Sequence, residues 1–181
     1  MKLKRKNMNT KKQMDIFIVD DNKVFSLALK ADIEVAFPKM LIKTHLFETG
    51  EKCMEKFIQV MPEVIILDYF LNSKYPEAAD GIKVLDWIKK ENFNTEIIML
   101  TNDDSIDIAL KSFHHGASDY VVKTETKFKK INYSLFNLFK TIEARSEAKT
   151  FKRLLIALSL VVAILVGGII AIEIFIPSLF K

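Results

Sequence analysis

Asp20 and Asp21 follow directly on the apolar run Ile16–Val19, and Asp68 closes a second run, Val64–Leu67. Thr101 ends the run Ile97–Leu100, and Lys123 ends Tyr120–Val122. Three carboxylates gathered at one place repel one another unless a cation joins them. A hard divalent ion such as Mg2+ suits them, because it prefers oxygen ligands and keeps part of its water. A carboxylate beside such an ion and a lysine can attack phosphorus, since ion and ammonium neutralise the charge that develops on the phosphoryl oxygens. On this reading Asp68 is the nucleophile, Asp20 and Asp21 serve the ion, and Thr101 and Lys123 add a hydroxyl and a cation. Singly these residues say little: an aspartate at a strand end is commonly a helix cap, and a lone lysine is commonly solvated. Five suitable residues at the ends of four runs carry the reading.

Elements must bring them together. Five apolar runs recur, Ile16–Val19, Leu41–Phe47, Val64–Leu67, Ile97–Leu100 and Tyr120–Val122, each followed by a helix-like stretch. Four are nearly continuous in Ile, Val, Leu, Met, Phe and Tyr, as strands covered on both faces require. Leu41–Phe47 is broken by Lys43, Thr44 and His45 and reads as an edge strand. Ile82, Leu85 and Ile88 form one amphipathic stripe, Ile106, Ala109, Leu110 and Phe113 another. Strand–helix alternation predicts a doubly wound parallel five-stranded α/β sheet, because parallel strands need crossover helices. The first and third strands are expected to be neighbours, and the crevice beyond the carboxyl ends of the strands is where ligands bind in such sheets.

Composition points the same way. The chain is 50% hydrophobic and 28% charged, with a formal net charge of +4. Six cations and no acid fall within residues 1–12, so the remainder carries about −2 and is no basic nucleic-acid binder. The single Cys53 cannot form an internal disulfide, which fits a reducing cytoplasm. The basic start lacks the apolar stretch of a secretory signal.

The motifs Ile18-Val19-Asp20-Asp21-Asn22, Ile66-Leu67-Asp68-Tyr69, Asp80-Gly81, Leu100-Thr101-Asn102 and Asp119-Tyr120-Val121-Val122-Lys123 together resemble the response-regulator receiver family of two-component signalling, over about residues 14–140. The resemblance implies a flavodoxin-like (βα)5 fold with Asp68 as phosphoacceptor. It also implies Mg2+ held by Asp20, Asp21, Asp68 and the main-chain carbonyl of Phe70, a switch formed by Thr101 and Tyr120, and Lys123 as the lysine of the pattern. Implied partners are a sensor histidine kinase or phosphotransfer protein, and a second copy through the face of the fourth helix, fifth strand and fifth helix. Such a protein signals without being an enzyme. Two rivals are an interaction module working without phosphate and a small aspartate-based phosphohydrolase; the second normally needs an acid/base two residues after the nucleophile, where Phe70 stands. Two departures stand out. Phe70 to Ala79 form a longer loop than the family's, and Asn102 takes a place where Ala, Ser or Gly is more usual. A bulky Phe70, where attacking water passes, is expected to lengthen the phosphoryl lifetime.

The fifth helix is expected to begin near Thr126, with Phe128, Ile131, Leu135, Leu138 and Ile142 on one stripe. Residues 141–153 read as a charged helical connector. Leu154 to Ile172 is a run of nineteen residues whose only polar side chain is Ser159, spanning roughly 28 Å at about 1.5 Å per residue, near the thickness of a hydrocarbon core. We expect a transmembrane helix over residues 154–176, stopped by Pro177, with a short outer tail over 177–181. Lys149, Lys152 and Arg153 before it and only Lys181 after it predict a single-pass inner-membrane protein with the receiver in the cytoplasm. The basic tail, residues 1–13, can add attraction to membrane lipid. His45, His114 and His115 lack metal-ligand spacing, Trp87 reads as partly buried packing, and Phe136 and Phe139 fall off the fifth-helix stripe, where exposure would mark a partner surface.

Overall fold

The computed structural model describes residues 13–71 and 76–179, with side chains described as far as residue 171. Expectations for residues 1–12, 72–75 and 180–181 lie outside the described residues. The chain divides into two compact units, Met1–Leu138 and Phe139–Lys181.

In the first unit the strands are β1 (Met14–Val19), β2 (Ile42–Phe47), β3 (Val64–Asp68), β4 (Glu96–Thr101) and β5 (Asp119–Val122). Between them run α1 (Lys23–Ala36), α2 (Gly50–Val60), α3 (Gly81–Glu91) and α4 (Ile106–His114), and α5 (Lys127–Leu179) follows. All strand pairs are parallel, in the order β2-β1-β3-β4-β5. This is the expected doubly wound fold, with β2 at an edge and β1 beside β3. Every residue of β3 and β4 is buried, whereas no residue of β2 is, which is why only β2 tolerates polar residues in its run.

Side-chain alternation assigns the two faces. Phe17, Val19, Ile65, Leu67, Ile97 and Met99 pack with α2 and α3 side chains such as Phe57 and Leu85 in one core cluster. Ile16, Ile18, Ile66 and Ile98 therefore point to the opposite face, and all are fully buried. Ile131 and Leu135 of α5 are fully buried as well, and Phe139, one further i+4 step along the helix, is 6% exposed. Of the two phenylalanines off the predicted stripe, Phe139 is buried and Phe136 is 47% exposed, so burial follows the row 131–135–139 and only Phe136 keeps the exposure that would mark a partner surface. Trp87 is partly buried, as expected.

Register positions the site. Val19 pairs with Leu67, so the next residue on each chain segment, Asp20 just beyond β1 and Asp68 at the end of β3, reaches the same rim. Asp68 pairs with Leu100 and Thr101 with Val122, carrying that rim across β4 to the residue before Lys123. Gly81 lets α3 start against the end of β3: a Cβ there would lie 2.3 Å from the Asp68 carbonyl oxygen and 2.7 Å from Tyr69 Cα. Its N–H donates to the Tyr69 carbonyl at 2.9 Å, and Asp80 caps the helix by accepting from Lys83 N–H at 2.8 Å.

The second unit is helical. Beyond the buried Phe139, large apolar residues along it are exposed, among them Leu158, Ile164 and Ile169. Among the described residues one helix is long and apolar enough, by length and composition, to cross a membrane. The expectation that Pro177 stops this helix falls two residues short, since α5 runs to Leu179; the helical assignment carries past the one donor that a proline removes.

Candidate functional site

Lys123 is the hinge of the site. Its N–H donates to the Thr101 carbonyl at 2.7 Å, fixing the chain as β5 ends. Its ammonium then reaches back over the sheet, 2.7 Å from Asp20 Oδ2 and 3.0 Å from Asp68 Oδ2. Asp20, Asp68 and Thr101 are buried, and Lys123 nearly so. Asp20 Oδ1 accepts the Asn22 N–H at 2.8 Å, which turns the chain into α1.

One oxygen stays unsatisfied. Asp68 Oδ1 is buried and has no hydrogen-bond partner among the described residues. Carboxylate oxygens of Asp20, Asp21 and Asp68 all lie within 4.8 Å of one another. Burying an unpaired carboxylate oxygen is costly, and a second cation at this point would offset that cost. An oxygen-only donor set with an orphaned buried oxygen fits a hard divalent ion better than a soft metal. Among the described residues no other cluster of three or more His, Cys, Asp or Glu is so placed.

The electrostatics record the same tension. Burial pushes the Asp68 carboxyl up to about 6; Lys123 pulls it down, the Asp20 charge pushes it further up, and the Phe70 N–H pulls it down. Burial also raises Asp20, against the Lys123 ammonium and the Asn22 N–H. The lysine therefore compensates only part of two buried charges.

Thr101 and Tyr120 meet in the β4–α4 loop and not in the cleft. Thr101 Oγ1 accepts the Asp103 N–H at 3.0 Å, and the Tyr120 hydroxyl donates to the Asp103 carbonyl at 2.7 Å. The Tyr120 ring packs partly buried against the core cluster. Burial and the nearby charge of Asp103 raise its phenol above the ordinary value, while the Thr101 hydroxyl works the other way. Phe70 packs its ring edge-on against Tyr69, with centroids 4.8 Å apart.

Around the carboxylates lies a cleft of about 270 Å³ whose lip includes Asn22, Phe25, Asn102 and Lys127. Among the described residues its aromatic wall is Phe25, not Phe70. Sequence reasoning missed Phe25 and Lys127. The signals were faint: Phe25 stands three residues after the capping Asn22, and Lys127 four after Lys123. His45 Nε2 lies 2.7 Å from Asp15 Oδ1 and His115 Nδ1 2.6 Å from Asp86 Oδ1, structural pairs away from the cleft.

Comparison with known proteins agrees with this geometry. A family model described as the response regulator receiver domain matches residues 16–132. The chain is similar to the regulatory protein AtoC of Escherichia coli (strain K12), 29% identical over 108 residues, covering 60% of this chain and 22% of that protein. It is also similar to the luminescence regulatory protein LuxO of Vibrio campbellii, 32% identical over 82 residues, covering 45% of this chain and 17% of that one. The chain thus spans about a fifth of the length of these relatives. A solved CheY-like response regulator receiver domain protein from Methanospirillum hungatei JF-1 superposes with a TM-score of 0.61 at 20% identity, covering 74% of this chain and 99% of that one, a likeness of fold.

Proposed function

This chain belongs to the response regulator receiver family, and on that premise we propose that it is a signalling protein phosphorylated on Asp68 and held at a membrane by the apolar part of α5. The observation that carries the phosphoacceptor role is the bridging of Asp20 and Asp68 by one nearly buried ammonium group beside the orphaned Asp68 Oδ1. A histidine kinase or phosphotransfer protein presents a phosphohistidine. An Asp68 oxygen attacks the phosphorus, the P–N bond breaks with its electron pair returning to the imidazole, and an acyl phosphate forms on Asp68. Lys123, already held at the carboxylates, then faces the phosphoryl oxygens and offsets their charge without having to reorganise. Asp20, Asp21, Asp68 and the Phe70 main-chain carbonyl would hold Mg2+, which when bound supplies the remaining neutralisation.

The added charge is read out next door. Thr101 Oγ1 is an acceptor for Asp103 N–H in the present arrangement; a phosphoryl oxygen on Asp68 competes for the Thr101 hydroxyl as donor. Moving Thr101 loosens the loop that holds the Tyr120 hydroxyl, so Tyr120 turns inward and the α4–β5–α5 face is reshaped. Ile106 is 75% exposed on α4, and Leu110, Tyr133 and Phe136 are exposed on α4 and α5. That supports a partner or a second copy binding there. Attachment by the apolar helix, with Lys149, Lys152 and Arg153 on its near side, places this face in the cytoplasm and confines it to two dimensions.

The test is phosphotransfer to the full chain in detergent. With acetyl phosphate and Mg2+, intact mass is expected to gain one phosphoryl group, and Asp68→Asn to gain none. Equal labelling of wild type and Asp68→Asn would refute the reading.

A further inference from the structure

Resting on the phosphoacceptor reading above, we propose that Lys127 is a donor-binding residue: its ammonium, seated with that of Lys123 against the ring of Phe25 on one wall of the Asp68 cleft, receives the negative charge of a small anionic phosphodonor such as an acyl phosphate.

The geometry starts from α1. Asn22 Oδ1 accepts the Phe25 N–H at 3.1 Å, which fixes the first helical turn and with it the place where the Phe25 ring enters the cleft lip. The Lys123 ammonium lies 4.9 Å from that ring centroid and the Lys127 ammonium 5.9 Å from it. Lys127 also lies 5.8 Å from the ring of Phe128, which itself packs 5.7 Å from Phe25. Two aromatic faces therefore hold Lys127 at the lip, an arrangement favourable to a cation.

The two lysines differ in what neutralises them. Lys123 is paired with Asp20 and Asp68. Among the described residues no carboxylate lies within ion-pair distance of Lys127. An uncompensated cation lining a cleft whose floor is a phosphoacceptor concentrates anions there and orients them as they enter. A phosphohistidine arrives on a protein that brings its own docking contacts. A free acyl phosphate has only the cleft to recognise it, so Lys127 matters most for small donors.

In the step served, an Asp68 oxygen attacks the phosphorus of acetyl phosphate, the bond from phosphorus to the acetyl oxygen breaks, and acetate leaves with the electron pair. Lys127 makes and breaks no bond. Acetyl phosphate is doubly charged near neutral pH and phosphoramidate singly charged, so the two donors sense the lysine differently.

The test follows initial phosphorylation of the full chain in detergent micelles by intact mass, with each donor, at low and high salt. Lys127→Gln is expected to slow labelling by acetyl phosphate about three- to tenfold at low salt, with a smaller loss for phosphoramidate. The gap should narrow at high salt, since partly exposed charges are screened. Lys127→Arg should restore the rate, and Lys130→Gln, on the exposed side of α5, should leave it unchanged. Equal rates for wild type and Lys127→Gln overturn the inference. So does a loss independent of donor charge and salt, which marks a structural role, or an equal loss in Lys130→Gln, which marks bulk charge. A wild-type chain that is labelled on Asp68 while Lys127→Gln is unaffected sinks this inference alone. A wild-type chain that takes no phosphoryl group sinks the phosphoacceptor reading and this inference with it.

Discussion

The first unit and the apolar stretch of the second are written in the same residues and treat them oppositely. Ile16, Ile18, Ile65, Ile66 and Leu67 are wholly buried, whereas Ile156, Leu158, Ile164 and Leu165 are half exposed or more. The first unit brings its own cover, because a parallel sheet with crossover helices hides both faces. The second leaves them uncovered among the described residues, and a hydrocarbon layer is one cover that suits a helix apolar all round. The contrast teaches where polar groups can carry meaning. In the first unit a few buried charges stand out against an apolar ground, and the unpaired Asp68 Oδ1 asks for a ligand; in the second the sequence specifies length and apolarity.

The largest expected effect breaks only the second region. Ile164→Lys combined with Leu165→Lys costs about 3 kcal/mol per residue at a helix centre. In vesicle flotation the doubly substituted chain is expected to stay in the soluble fraction, with thermal melting of the first unit unchanged. Flotation equal to wild type would show that the apolar helix is not what attaches the chain.

Gly81→Ala breaks only the first region. Its new methyl meets the Asp68 carbonyl and Tyr69 Cα backbone, which side-chain rotation cannot relieve, so a loss of about 2–4 kcal/mol in denaturant unfolding is expected. A smaller loss would mean that α3 can withdraw from β3.

Next comes pH. The Asp68 carboxyl sits at about 6 in the fold against an ordinary 3.8. For a raised acid, the stabilising contribution is complete below the ordinary value and is lost as pH rises through the folded one. Asp20 shifts in the same direction. From Asp68 alone the cation-free chain is therefore expected to lose about 1 kcal/mol between pH 5 and pH 7, read by denaturant unfolding in chelator, and Asp68→Asn to lose less. Added Mg2+ should flatten the slope. A stability that rises over that interval would contradict the burial account.

The smallest effect is at Phe70. Phe70→Ala is expected to shorten the phosphoryl lifetime about twofold, the modest scale of lost packing beside the site and not on the cleft wall. An unchanged dephosphorylation rate would assign the shielding to Phe25.

Much of the site was legible because strand ends announce themselves: an apolar run followed by Asp or Lys names both the strand and the rim residue. Asp20, Asp68 and Lys123 converge as that rule requires. Register was not legible, yet it is what sets Val19 beside Leu67. Thr101 is buried beneath the rim with its hydroxyl turned to Asp103, a direction no strand-end rule contains. Phe25 and Lys127 reach the cleft through the first turns of two helices, so their place depends on where each helix is capped. Which of Phe136 and Phe139 is buried was not legible for a related reason, since periodicity fixes a stripe only to within one row of side chains.

The central claim is that Asp68 is the carboxylate that becomes an acyl phosphate. Borohydride reduction of the phosphorylated full chain, followed by peptide sequencing, tests it most directly, because reduction converts an acyl-phosphorylated aspartate to homoserine. The account predicts homoserine at position 68 alone. Homoserine at position 20 or 21, or at none of the three, would contradict it.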